Sequence, residues 1–84
     1  MVEVEIGTVN DFFARPVVAG IALTAPLKLS DKIHIKGHTT ELTMVVESMQ
    51  INNVDVKEAK AGDAVGIKLT GRVRRGDKVY KVTE

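Results

Sequence analysis

Three observations predict an all-β chain folded as a small closed antiparallel barrel of about six short strands. The first is a seven-residue pattern: apolar, basic, any, Gly or Ser, Asp, any, then Ile or Val. It occurs as Leu27-Lys28-Leu29-Ser30-Asp31-Lys32-Ile33, Ala59-Lys60-Ala61-Gly62-Asp63-Ala64-Val65 and Val73-Arg74-Arg75-Gly76-Asp77-Lys78-Val79. Each copy launches apolar alternation, and Gly-Asp suits a tight turn, because Gly tolerates positive φ and Asp bonds nearby backbone N–H groups. The second is period-two alternation along most of the chain, with hardly any helical periodicity. The third is the unequal spacing of the copies, 32 and then 14 residues. That spacing marks barrel corners and excludes a solenoid.

The elements follow in order. Val2-Glu3-Val4-Glu5-Ile6 alternates cleanly and continues through Gly7-Thr8-Val9 towards Phe12. Phe13-Ala14-Arg15-Pro16 reads as a connection, since Pro16 disfavours a central strand. Val17 to Leu23 is a second strand, with Gly20 marking a bulge or close backbone approach. The first corner feeds Lys32 to Lys36, and Gly37-His38-Thr39 reads as a hairpin tip. Thr40 to Ile51 reads as one long strand bent near Ser48 and ended by Asn52-Asn53. Asp55-Val56-Lys57-Glu58 has capping-box spacing with room for about one helical turn. The last two corners lead into strands at Ala64 to Leu69 and Lys78 to Val82. Val46, Met49, Val65, Ile67 and Val79 should be buried, and Gly62 and Gly76 should take positive φ.

Composition limits the function. Eighty-four residues make one domain, 1–84, with a single thin core, because a chain this short buries only ~60–65 % of its unfolded surface. No cysteine is present, which excludes disulfides and thiolate metal sites. No apolar run approaches the ~20 residues that cross a bilayer, so a cytoplasmic location is the expectation. Twelve basic and eleven acidic residues give a net charge of +1, which excludes a strong general polyanion binder. Residues 1–11 carry Glu3, Glu5 and Asp11 without a base. Residues 68–84 carry Lys68, Arg72, Arg74, Arg75, Lys78 and Lys81 against Asp77 and Glu84.

Val46-Glu47-Ser48-Met49-Gln50, Glu58 to Ile67 and Val73 to Asp77, with Leu27 to Ile35 upstream, resemble the second domain of translational GTPases. The nearest flavour is elongation factor one-alpha of archaea and eukaryotes, with Ser30 where that family usually has Gly. The likeness covers most of residues 17–82 and implies a six-stranded Greek-key barrel. The opening Ile6-Gly7-Thr8-Val9-Asn10-Asp11-Phe12-Phe13 is similar to the start of the carboxy-terminal barrel of collagenase-like peptidase-family proteins. It is also similar to short free-standing archaeal proteins called elongation-factor-like, a type that the chain length suits. In elongation factors this domain holds the aminoacylated tRNA end. The resemblance places Gln50 where an acidic residue packs beside the terminal adenine and Lys68 where the pocket is apolar.

Chemistry is hard to find. No phosphate-loop motif is present, which excludes a GTPase, and no nucleotide binding by the chain itself is expected. His34 and His38 lack a third ligand and a helix to align them, so no metal or other cofactor is expected. Ser30 and Ser48 lack His and acid partners, and Arg75-Gly76-Asp77 belongs to a turn copied elsewhere. The expectation is a non-enzymatic binding module that contacts tRNA, rRNA or the ribosome. Arg72, Arg74, Arg75 and Lys78 would meet phosphates, with Gln50 and Lys68 as further candidates. The alternative is a protein-interaction subunit supplying in trans the barrel of a collagenase-like peptidase-family enzyme, with its contact surface around Phe12 and Phe13.

Overall fold

A computed structural model describes residues 2–14 and 17–83, so Arg15 and Pro16 of the anticipated connection lie outside the described residues. The strands are β1 (Val2–Ala14), β2 (Val17–Leu23), β3 (Leu27–Lys28), β4 (Lys32–Lys36), β5 (Glu41–Val45), β6 (Met49–Ile51), β7 (Val54–Val56), β8 (Glu58–Ala59), β9 (Ala64–Lys68) and β10 (Lys78–Thr83). All pairings are antiparallel. Eight strands form one sheet in the order β5-β4-β10-β1-β2-β9-β6-β7, and β3 pairs with β8 in a separate ribbon. No helix occurs among the described residues, hence none that could cross a membrane.

The all-β expectation holds, but the closed six-stranded barrel does not appear in the strand pairing. The sheet ends at β5 and β7, with no ladder joining them. The cause lies in the segment expected to be one strand from Thr40 to Ile51. Val46 leaves the ladder, donating its N–H to the Asp31 carbonyl at 2.9 Å and accepting the Ser30 N–H at 2.8 Å. The chain therefore divides into β5, which pairs with β4, and β6, which pairs with β7 and β9. The capping-box reading of Asp55 to Glu58 is likewise corrected, because these residues lie in or between β7 and β8. Asn52 and Asn53 both take positive φ, 52° and 64°. Such a two-residue turn matches strand twist and folds β6 back onto β7.

The three corners share one geometry. Asp31, Asp63 and Asp77 each accept the N–H of the residue three before, Lys28, Lys60 and Arg74, at 2.9, 2.9 and 2.8 Å. The third residue of each turn has positive φ: 75° at Ser30, 94° at Gly62 and 90° at Gly76. Each corner also trades two backbone hydrogen bonds with a distant apolar residue, namely Val46, Leu23 and Val9 respectively. These three residues are buried, as are the first and last residues of every copy. The motif thus fixes a turn and stitches it into the core at the same time.

Nothing lies within 4 Å of a Cβ built on Gly62 or Gly76, so substitution there costs backbone strain alone. Gly62→Val and Gly76→Val should each lose about 1–2 kcal/mol. Ser30→Gly should instead gain up to about 1 kcal/mol by relieving strain at the corner that lacks Gly. Urea melts check both signs, and Val variants that overlay the parent would overturn this account of the corner.

The core is aliphatic. All five anticipated members are buried, with Ile67 and Val79 fully inaccessible. β1 runs through its centre, pairing with β10 over Val2–Thr8 and with β2 over Gly7–Ala14. Its register shifts between Glu5 and Gly7 and between Val9 and Asp11. Such bulges bend a strand, which lets this long one curve across the core. Gly20 lies directly opposite Asp11, where a Cβ would meet that of Asp11 at 3.3 Å, so the close approach expected at Gly20 holds while the bulge belongs to its partner strand.

Candidate interaction site

The outward face of β2 and β9 has small residues at its centre, Gly20 and Ala22 beside Ala64 and Gly66. Along β9, Val65 and Ile67 turn inward while Ala64, Gly66 and Lys68 do not. Gly66 pairs with Gly20 on one side and Gln50 on the other. With no side chain there, the sheet surface dips between Val18 and Gln50. The result is an open groove of about 430 Å³ lined by Phe13, Val18, Gln50, Asn52, Asn53, Ala64 and Gly66. Phe13 forms one wall and is 57 % exposed, a large apolar surface to leave in water. Gln50 is steadied by donating its Nε2 hydrogen to Asp55 at 2.9 Å. A smaller depression beside it adds Ser48 and Lys68.

The six residues anticipated for RNA fall in different places. Gln50 and Lys68 share the depression next to Gly66. Arg72 and Arg74 line a separate cavity with Phe12, Thr39 and Thr40. Arg75 is drawn into an ion pair with Asp11 at 2.9 Å; exposed pairs of this kind contribute about 0–1 kcal/mol. Lys78 is exposed at the start of β10, opposite Thr8 and Lys36. The four basic residues are exposed, and Gln50 and Lys68 line a different depression from Arg72 and Arg74.

A polar network escaped the sequence analysis. Glu3 on β1 lies two strands from β4, yet its carboxylate accepts from Lys36 Nζ at 2.7 Å and His34 Nδ1 at 2.6 Å, reaching over β10. Lys36 Nζ also sits 5.3 Å from the Tyr80 ring centroid, within cation–π range. His34 Nε2 is buried without a hydrogen-bond partner, 3.7 Å from Glu41 Oε1. His38 stands apart on the exposed turn after β4, and no group of three potential metal ligands gathers among the described residues. Alternation places Glu3, His34 and Lys36 on outward positions, but only the strand order brings them together.

The network has a pH signature. The Lys36 hydrogen bond, then that of His34, holds the Glu3 carboxyl below its ordinary value of 4.5, while Glu3 holds Lys36 above 10.5. A lowered carboxyl contributes stability that is complete above its unfolded value and lost as pH falls through its folded one. A raised ammonium contributes stability complete below its unfolded value and lost as pH rises through its folded one. Glu3→Gln should therefore remove part of the stability loss that sets in as pH falls below the carboxyl's ordinary value of 4.5. Denaturant midpoints measured as pH falls through that value would check it, and an unchanged profile would count against the network.

No family model matches the chain. It is similar to an uncharacterized protease of Methanocaldococcus jannaschii, 48 % identical over 83 residues, an alignment covering 98 % of this chain and 20 % of that protein. The chain thus spans about a fifth of the length of the curated relative it matches. Its fold is similar to the crystal structure of the C-terminal domain of a Geobacillus thermoleovorans protein described as a U32 peptidase. That likeness has a TM-score of 0.87 at 15 % identity and covers 93 % of this chain and 91 % of the other. The selenomethionine variant of that domain gives 0.85 at 14 % identity, covering 90 % and 96 %. At such identity the structural likeness speaks to the fold. These neighbours lie on the peptidase side of the two resemblances noted in the sequence.

Proposed function

We propose that this chain is a non-catalytic interaction domain that supplies, in trans, a U32-type C-terminal domain to a protease-family enzyme. The observation that carries this is the 48 % identity along nearly the whole chain to a protein about five times as long. The fold of the U32 C-terminal domain supports it independently. The groove walled by Phe13 is the docking surface, because an exposed aromatic beside a concavity is the usual form of an energetic anchor. The RNA-binding module expected first from the sequence draws no comparable support, since the relative and the structural neighbours are protease-family proteins.

The test mixes this chain with the M. jannaschii protein from which the matching 83 residues have been removed. Sedimentation should show a one-to-one complex. Phe13→Glu, at an exposed position that should leave the fold intact, should weaken it roughly thirtyfold, as expected for loss of an aromatic anchor. No complex at ~100 μM of each partner, well above the range of specific association, would overturn the proposal.

A further inference from the structure

The cavity formed where the β4–β5 turn meets the third corner lies apart from the Phe13 groove and has features of a ligand site. It measures about 440 Å³ and is lined by Phe12, Thr39, Thr40, Arg72, Val73 and Arg74. Arg72 and Arg74 form no ion pair among the described residues, whereas neighbouring Arg75 is tied to Asp11. Thr40 is only 9 % exposed and lines the cavity beside Phe12.

The walls are held in place. Asp77, itself buried, accepts the Arg74 N–H at 2.8 Å and packs directly against Gly37. Gly37 in turn donates its N–H to the Thr40 carbonyl at 2.8 Å. One carboxylate therefore joins the turn that carries the threonines to the corner that carries the arginines. The geometry points to a binding site for a small phosphate ester bearing an aromatic or heterocyclic ring. Its phosphoryl oxygens meet Arg72, Arg74 and the Thr40 hydroxyl, and its ring lies against Phe12. Two guanidinium groups and a hydroxyl suit a tetrahedral acceptor, whereas a planar carboxylate is satisfied by a single arginine fork. The inference does not depend on the proposed docking role.

Adenosine monophosphate is a suitable probe, titrated into the intact chain at ~150 mM salt so that exposed-charge attraction is screened. Backbone amide NMR should show saturable shifts at Thr39, Thr40, Val73 and Arg74, while adenosine at the same concentrations leaves them unmoved. Arg72→Gln and Arg74→Gln, both at exposed positions, should each weaken binding about tenfold, the scale of one charge-assisted hydrogen bond. Thr40→Val should weaken it several-fold. Absence of saturation by ~10 mM, or shifts that survive unchanged in the double arginine variant, would overturn the site. Binding no tighter than that of inorganic phosphate would overturn the role given to Phe12.

Discussion

Ile67→Ala is expected to lower the stability of the chain by about 2–5 kcal/mol. Ile67 is fully inaccessible to solvent and lies on β9 between Ala19 of β2 and Met49 of β6. Its neighbours belong to strands fixed by their own ladders, so they can close only part of the cavity left by three lost carbons. A domain of this size has a total stability near the low end of the usual ~5–15 kcal/mol, so the loss removes a large share. Urea unfolding should show a lowered midpoint with an unchanged slope. A variant that melts with the parent would place Ile67 outside the core and break the assigned register of β9.

The second large effect is expected at Gly37. A Cβ there would collide with the Asp77 carboxylate, which is buried and already engaged with the Arg74 N–H at 2.8 Å. Gly37→Ala should therefore cost about 1–3 kcal/mol, the scale of overpacking. Asp77→Ala should cost a similar ~1–3 kcal/mol by leaving a backbone donor short of its acceptor. The double variant should lose less than the sum of the two, since removing the carboxylate removes the collision. Strict additivity in chemical denaturation would show that the turn and the corner do not press on each other.

Much of the strand content was legible because alternation and turn chemistry are local. Val17 to Leu23 and Lys32 to Lys36 coincide with β2 and β4, each bounded by residues that end a strand through their own backbone preferences. The corner motif was legible for the same reason, since a Gly or Ser with positive φ and an Asp one residue later act within four residues. The break at Val46 was not. Its sequence, Thr43-Met44-Val45-Val46, continues the strand pattern, and only the competing hydrogen bonds offered by Ser30 and Asp31 draw it away.

The candidate sites divide in the same way. Exposed arginines around Gly76 were apparent from composition, and Phe13 was identifiable as an apolar residue near a connection. The groove required the pairing of Gly66 with Gln50 and Gly20, because a dip in a sheet depends on which small residues lie side by side. The cavity between Thr40 and Arg74 required Asp77 to reach a turn some forty residues earlier in the chain.

By itself, then, the sequence determined an all-β chain, its three corners, its aliphatic core and a scarcity of catalytic groups, all of which follow from periodicity and the backbone preferences of Gly, Ser and Asp. The tertiary structure decided the strand order β5-β4-β10-β1-β2-β9-β6-β7, and with it the meeting of Glu3 with His34 and Lys36. It also placed Gln50 and Lys68 at one depression and Arg72 and Arg74 at another. Those outcomes depend on which backbone donors and acceptors from distant segments pair first and best, a competition that no local stretch of residues encodes.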